Sequence, residues 1–185
     1  MPVNTMNLLQ GPGTLYRAAF GAVEPTTVTA APGAGWVDLG ATNDGLTLTI
    51  EMEISELIVD QIIDVADARV VGRKIKLATS LAESTLDNFA LVQNEAAPAA
   101  AAAGQRSYEP KTGIDGFVPA YGSLLFDGVA PGGKRRRVLV RRTLSIEGTE
   151  TAYKKDEMTL LPVTWQGFYV SDSVKPFRIV DEVAV

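Results

Sequence analysis

The chain has 185 residues, 46% hydrophobic and 21% charged, which suffices for one domain with a sizeable core. Its net charge of −5 argues against a polyanion binder, because phosphate affinity comes from Lys and Arg. Cysteine and histidine are both missing, which removes disulfides, thiolate chemistry, the commonest general base and the commonest zinc ligand, so neither an enzyme nor a metal or cofactor site is expected.

Residues 1–13 read as a polar arm ending in Gly11-Pro12-Gly13. Met1 to Gln10 has no basic start and no long apolar stretch, so no secretory signal is expected. Nothing in the chain reaches the roughly 18 apolar residues of a membrane span. Thr14 to Phe20 forms a first candidate strand. Residues 21–35, with Pro25, Pro32, Gly33 and Gly35, form a long loop. Trp36 to Gly40 is a short strand or a loop anchored by its tryptophan, and Asn43-Asp44-Gly45 makes a turn.

The segment from Leu46 to Ser55 then alternates apolar and polar residues without a fault. Leu46, Leu48, Ile50, Met52 and Ile54 share one face. Thr47, Thr49, Glu51, Glu53 and Ser55 share the other. Strand side chains alternate faces with period two, so this is a long strand with one dry and one wet, acidic face. An apolar tip follows, Leu57-Ile58-Val59 and Ile62-Ile63 with Val65, interrupted by Asp60, Gln61 and Asp64. A return strand follows through residues 69–82, giving a hairpin over 46–82. In it Val71, Ile75 and Leu77 share a face, Lys74 and Lys76 occupy the opposite one, and Arg73 breaks the apolar pattern and leaves the register open. A hairpin this long with a greasy tip suits pairing and stacking with further copies of the chain.

Residues 84–93 carry the one convincing helix. Ser84 serves as N-cap, Asp87 favours the first turn, and Leu86, Phe89 and Ala90 make an apolar stripe. An alanine-rich stretch with Pro98 inside it reads as a low-complexity loop over 95–113. Strands return at 121–126, 137–147, 158–170 and 175–183, with Pro162 implying an edge or a bulge. The total, about seven strands and one short helix in a single domain over 1–185, is all-β, of sandwich or small-barrel type.

Few constellations carry chemistry. Glu51, Glu53, Asp60, Asp64 and Asp67 could chelate a cation, but no calcium-loop spacing accompanies them, and a solvated strand face is the simpler reading. Lys134 to Arg137 with Arg141 and Arg142 could contact phosphate. The simpler reading is a polar strand face or a set of partners for acidic neighbours, since no aromatic interleaving or nucleic-acid module is present. Gly11-Pro12-Gly13 and Gly132-Gly133-Lys134 lack the context of a phosphate loop. Ser80, Ser84 and Thr85 lack a neighbouring base, and no Ser-x-x-Lys occurs.

Several segments taken together resemble the major tail proteins, or tail tube proteins, of long-tailed phages. They are Gly-Pro-Gly-Thr-Leu-Tyr-Arg-Ala at 11–18, Gly-Ala-Val-Glu-Pro at 21–25, Trp-Val-Asp-Leu-Gly-Ala-Thr at 36–42 before Gly45, the acidic hairpin, and Leu81 to Leu91 running into the helix. The alanine-rich stretch at 96–104 lies outside that pattern. The resemblance implies a virion structural protein with one flanking helix, assembled in the host cytoplasm. It implies homohexameric rings that stack into a hollow tube conducting DNA, with each hairpin joining a shared inner barrel. A tape measure protein and a tail terminator are implied partners, and the same fold serves contractile-tail tubes and type VI secretion tubes. Within such a tube the dry face would pack on the subunit body. Thr47, Thr49, Glu51, Glu53 and Ser55 would line the lumen, where carboxylates repel DNA and Lys74 and Lys76 would offset part of that field if they also face inward. Leu57, Ile58, Val59, Ile62, Ile63 and Val65 would make the ring-to-ring contact. Alternatives from other classes are a capsid decoration or baseplate β-sandwich, a carbohydrate-binding domain using Trp36 and Trp165, and a DNA contact through Arg135 to Arg137.

Overall fold

The computed structural model describes residue 8 and residues 11–95, 97–112 and 118–183. Most of the expected N-terminal arm lies outside the described residues. The strands are β1 (Thr14–Ala19), β2 (Val37–Asp38), β3 (Thr42–Leu57), β4 (Asp67–Leu81), β5 (Ala99–Ala102), β6 (Gln105–Ser107), β7 (Gly122–Ala130), β8 (Lys134–Ser145), β9 (Leu161–Gly167) and β10 (Phe177–Asp181). One helix, α1 (Leu86–Val92), follows β4. The all-β class therefore holds. Eight strands form one antiparallel sheet in the order β2-β1-β7-β8-β9-β4-β3, and β10 also pairs with β8.

Continuous hydrogen-bonded pairing joins these eight strands, and β5 with β6 forms a separate two-stranded sheet. β7 takes one edge of β8, while the other edge carries β10 opposite residues 136–140 and β9 opposite 143–145. On the inside, Leu15, Leu77, Leu124, Val140, Leu161 and Trp165 meet in one cluster, with Val92 of α1 joining them. On the outside, Leu125 and Leu139 pack with Trp36 and Ala18. Adjacent residues Leu124 and Leu125 thus enter opposite clusters, as strand alternation requires. The 21–35 loop covers the outer face, and the Trp36 indole N–H donates to the Val23 carbonyl at 2.9 Å.

Local chemistry explains the departures from the sequence expectations. The helix cap is Thr85, not Ser84: the Thr85 hydroxyl accepts from the Asn88 amide. Asn88 is buried and donates to the Leu39 and Glu83 carbonyls, so a polar residue anchors the packed face of α1. Within the expected loop at 95–113, whose residues 96 and 113 lie outside the described residues, a small hairpin of β5 and β6 forms. It turns at Gly104 with φ 74°, a conformation glycine adopts without penalty. Pro162 lies near the end of β9, on the side where β8 has stopped at Ser145. The Thr164 carbonyl still accepts from Ile146 on that side, so the missing proline amide falls just beyond the last pair.

The long hairpin is β3 with β4, in unbroken register from Thr47↔Ala78 to Glu53↔Gly72. Val71 is an extra residue in β4, after which Ile54 pairs with Val70. At the base, Asp44 and Gly45 both have positive φ, and the Thr79 hydroxyl donates to the Gly45 carbonyl at 2.6 Å. The expectation that the whole dry face packs on the subunit body is not met. Leu46 and Leu48 join the core, but Ile50, Met52, Ile54, Val70 and Val71 are 42–64% exposed. The reason is topological. β9 pairs with β4 only from Ile75 to Leu81, so among the described residues no strand of the body pairs with the hairpin further out, where Arg73 still meets the Phe177 ring.

Candidate functional site

The fold leaves the distal hairpin uncovered among the described residues, and its two faces differ in chemistry. Residues directly opposite in an antiparallel pair share a face. The register therefore sets Thr47, Thr49, Glu51, Glu53 and Ser55 of β3 beside Ala78, Lys76, Lys74, Gly72 and Arg69 of β4. Lys76 donates to Glu51 at 3.1 Å, with both side chains partly exposed. Leu57 and Asp67 end this polar face. It thus carries three carboxylates, Glu51, Glu53 and Asp67, and three cations, Arg69, Lys74 and Lys76.

This corrects the expectation of a wet, acidic face. The acidic residues stand as read, but the return strand sets as many cations among them. Lys74 and Lys76 were visible as a pair on one face of the return strand. What the sequence did not disclose was the register that matches that face to Glu51. Arg69 was missed altogether, because the bulge at Val71 shifts the phase of every residue before it. Arg73, which interrupts the apolar pattern, lies opposite Met52 and places its guanidinium 5.4 Å from the centre of the Phe177 ring.

The tip closes with the Ala66 amide donating to the Leu57 carbonyl at 2.9 Å and the Ile62 amide to Val59 at 3.2 Å. Leu57, Ile58, Ile62, Ile63 and Val65 are exposed and Val59 is half-buried. All six residues expected at a contact thus sit together around one turn.

The basic cluster on β8 has a different fate. Arg137 is buried and grips Asp127 with Nε and Nη2 at 2.5 and 2.6 Å, while its remaining donors reach the Thr27 and Ala30 carbonyls. Arg141 pairs with Glu24 and donates to the Lys175 carbonyl. Arg142 stacks 4.0 Å from the Tyr121 ring centre. Arg136 and Asp181 form a two-bond fork at 2.7 Å each. The hydrogen bonds from Arg136 hold the Asp181 carboxyl below its ordinary range and raise the guanidinium. A second fork, Arg106 to Asp87, ties the β5–β6 hairpin to α1 and lowers the Asp87 carboxyl for the same reason. Arg136, Arg137 and Arg141 are thus paired with carboxylates of the same chain, while Arg135 of the cluster is exposed. The tryptophans proposed for sugar binding are also interior: Trp36 and Trp165 are buried in separate clusters.

Among the described residues, no group of three or more His, Cys, Asp or Glu side chains is placed to hold a metal ion. No described helix is long and apolar enough to cross a membrane. What remains is an extended, uncovered β-ribbon with an apolar side, a charge-paired side and an apolar tip. An arrangement of this kind adds strands to other chains. No curated protein matches the chain. The family model described as phage tail tube protein matches residues 1–182, from the first residues through the hairpin, the helix and β10. The chain therefore belongs to the phage tail tube protein family and is a structural protein of the phage tail.

Proposed function

We propose that the protein forms homohexameric rings that stack into a hollow tube and conduct DNA from capsid to host. In each ring the β3–β4 ribbons pair side by side into a shared inner barrel. Thr47, Thr49, Glu51, Glu53 and Ser55 line the lumen, and the tip from Leu57 to Val65 contacts the next ring. A tape measure protein and a tail terminator set the length, and assembly takes place in the host cytoplasm before the tail joins the virion.

The observation that carries this reading is the exposed apolar face from Ile50 to Ile54 and across Val70 and Val71. Covering a side chain of this kind contributes roughly 1.5–3 kcal/mol. One subunit leaves that contribution unrealised; in a ring the outward apolar side of the barrel is covered by the surrounding subunit bodies, and barrel closure removes the open edges. The lumen in this reading is charge-balanced, so DNA slides because the wall offers no net attraction, not because the wall repels it. Negative-stain electron microscopy of the purified chain tests the proposal. Rings or tubes with an open centre are expected. A chain that stays monomeric at high concentration contradicts it, and trimers would favour a decoration or baseplate role.

A further inference from the structure

The hairpin's charges are sorted by strand. From Thr42 to Leu57, β3 carries Asp44, Glu51, Glu53 and Glu56 and no cation. From Arg69 to Lys76, β4 carries Arg69, Arg73, Lys74 and Lys76 and no acid, Asp67 at the turn being its one carboxylate. The sorting holds on both faces. Glu51 and Glu53 lie with Lys74 and Lys76 on the polar face, while Glu56 and Arg73 lie on the apolar one. Both outer edges of the distal ribbon are open among the described residues. β3 ends the sheet, and β4 has no second partner before Ile75.

Pairing within one hairpin does not require such sorting, since mixed charges on each strand would serve equally well there. It matters where strands meet between chains. From these edges we infer that opposite charge selects the partner: the basic β4 edge of one copy takes the acidic β3 edge of the next and rejects another β4. Like-edge pairing would set Glu51, Glu53 and Glu56 against themselves, and like charges directly opposite in a sheet are destabilising. Head-to-tail pairing repeats the Glu–Lys contact seen between Glu51 and Lys76 at every junction. Each junction then has the same polarity, which is what a heterologous contact needs to close into a ring. This inference rests on the ring reading above and adds the rule by which neighbours are chosen.

The test reverses the code. A chain carrying Glu51→Lys, Glu53→Lys and Glu56→Lys together with Arg69→Glu, Lys74→Glu and Lys76→Glu keeps complementarity within its hairpin and with copies of itself. Arg73 is left in place because it stacks on Phe177. The reversed chain is expected to form rings alone but to be excluded from wild-type rings when the two are assembled together, read by affinity capture of one and quantification of the other. As a second measurement, the acidic-strand and basic-strand substitutions are made in separate chains. Each alone should raise the concentration needed for assembly at least about tenfold, equivalent to about 1.4 kcal/mol, and an equimolar mixture should restore it. Free mixing of reversed and wild-type chains overturns the inference, as does a mixture of the two half-reversed chains that stays dispersed. Wild-type rings beside half-reversed rings at unchanged concentration remove this inference alone. A wild-type chain that never forms rings removes the ring reading and this inference with it.

Discussion

Arg137 illustrates how one side chain organises the outer face. Its side chain is 6% exposed, and it joins Asp127 on β7 to the carbonyls of Thr27 and Ala30 in the covering loop. Removing one partner of a buried pair leaves the other uncompensated. Arg137→Leu is therefore expected to cost about 3 kcal/mol in chemical denaturation, and adding Asp127→Leu should recover part of that loss. A neutral single substitution would mean that Trp36 and the Arg141–Glu24 pair suffice to hold the loop. The Glu51–Lys76 pair sits at the other extreme. Both side chains are solvated, so Lys76→Gln should change subunit stability by no more than about 1 kcal/mol. A larger loss in the dispersed subunit would show that this contact holds the ribbon together. From sequence, both arginine and lysine read as residues of a polar strand face. They differ because β8 is central and covered on both sides, so its alternation does not tell solvent from interior.

At the scale of elements, the ribbon and β10 make opposite predictions. Ile50→Ser, Met52→Ser and Ile54→Ser together should leave the denaturation midpoint of the dispersed subunit nearly unchanged, because these residues are already exposed. The same substitutions should abolish tubes in electron micrographs. Persistent tubes would mean that the apolar face is not the contact. β10 is fastened to β8 by the Arg136–Asp181 fork. The folded carboxyl of Asp181 lies below its unfolded value, so its contribution is fully present above the ordinary carboxylate pKa and is lost as pH falls through the folded value. Both side chains are about one-third exposed, which limits the effect to about 1 kcal/mol. Hydrogen exchange should show β10 amides losing protection on acidification before those of β7, and Asp181→Asn should remove that difference. The hairpin and the helix were legible because period two and period 3.6 leave direct marks in the sequence. The Thr85 cap was not, because Ser84 and Thr85 are adjacent and equally suited to cap, and Asn88, the residue that bonds Thr85, is itself anchored on the distant Leu39 carbonyl. The β5–β6 hairpin was not, because an all-alanine strand has no alternation to read, and the bulge at Val71 was not, because composition does not register a phase shift.

The molecule as a whole divides into a body that holds both buried clusters and a ribbon whose distal apolar residues are exposed. In the body, β8 is flanked by β7 on one edge and by β10 and β9 on the other, with one buried cluster on each face. Among the described residues the ribbon has two open edges and one exposed apolar face, the features on which its proposed pairing between subunits rests. The all-β class was readable from alternation alone, and the tail tube family from the combined segments. The register that sets the cations beside Glu51 and Glu53 was not readable, and it gives the polar face of the ribbon as many cations as carboxylates. The most direct measurement is a cryo-electron microscopy map of the assembled protein. The β3–β4 ribbons are expected to form a continuous wall around the axis, with Glu51, Glu53, Lys74 and Lys76 facing the bore and Ile50, Met52 and Ile54 turned away from it. A map in which Glu51 and Glu53 lie far from the axis, or in which the ribbon folds back to complete its own subunit, would contradict the account.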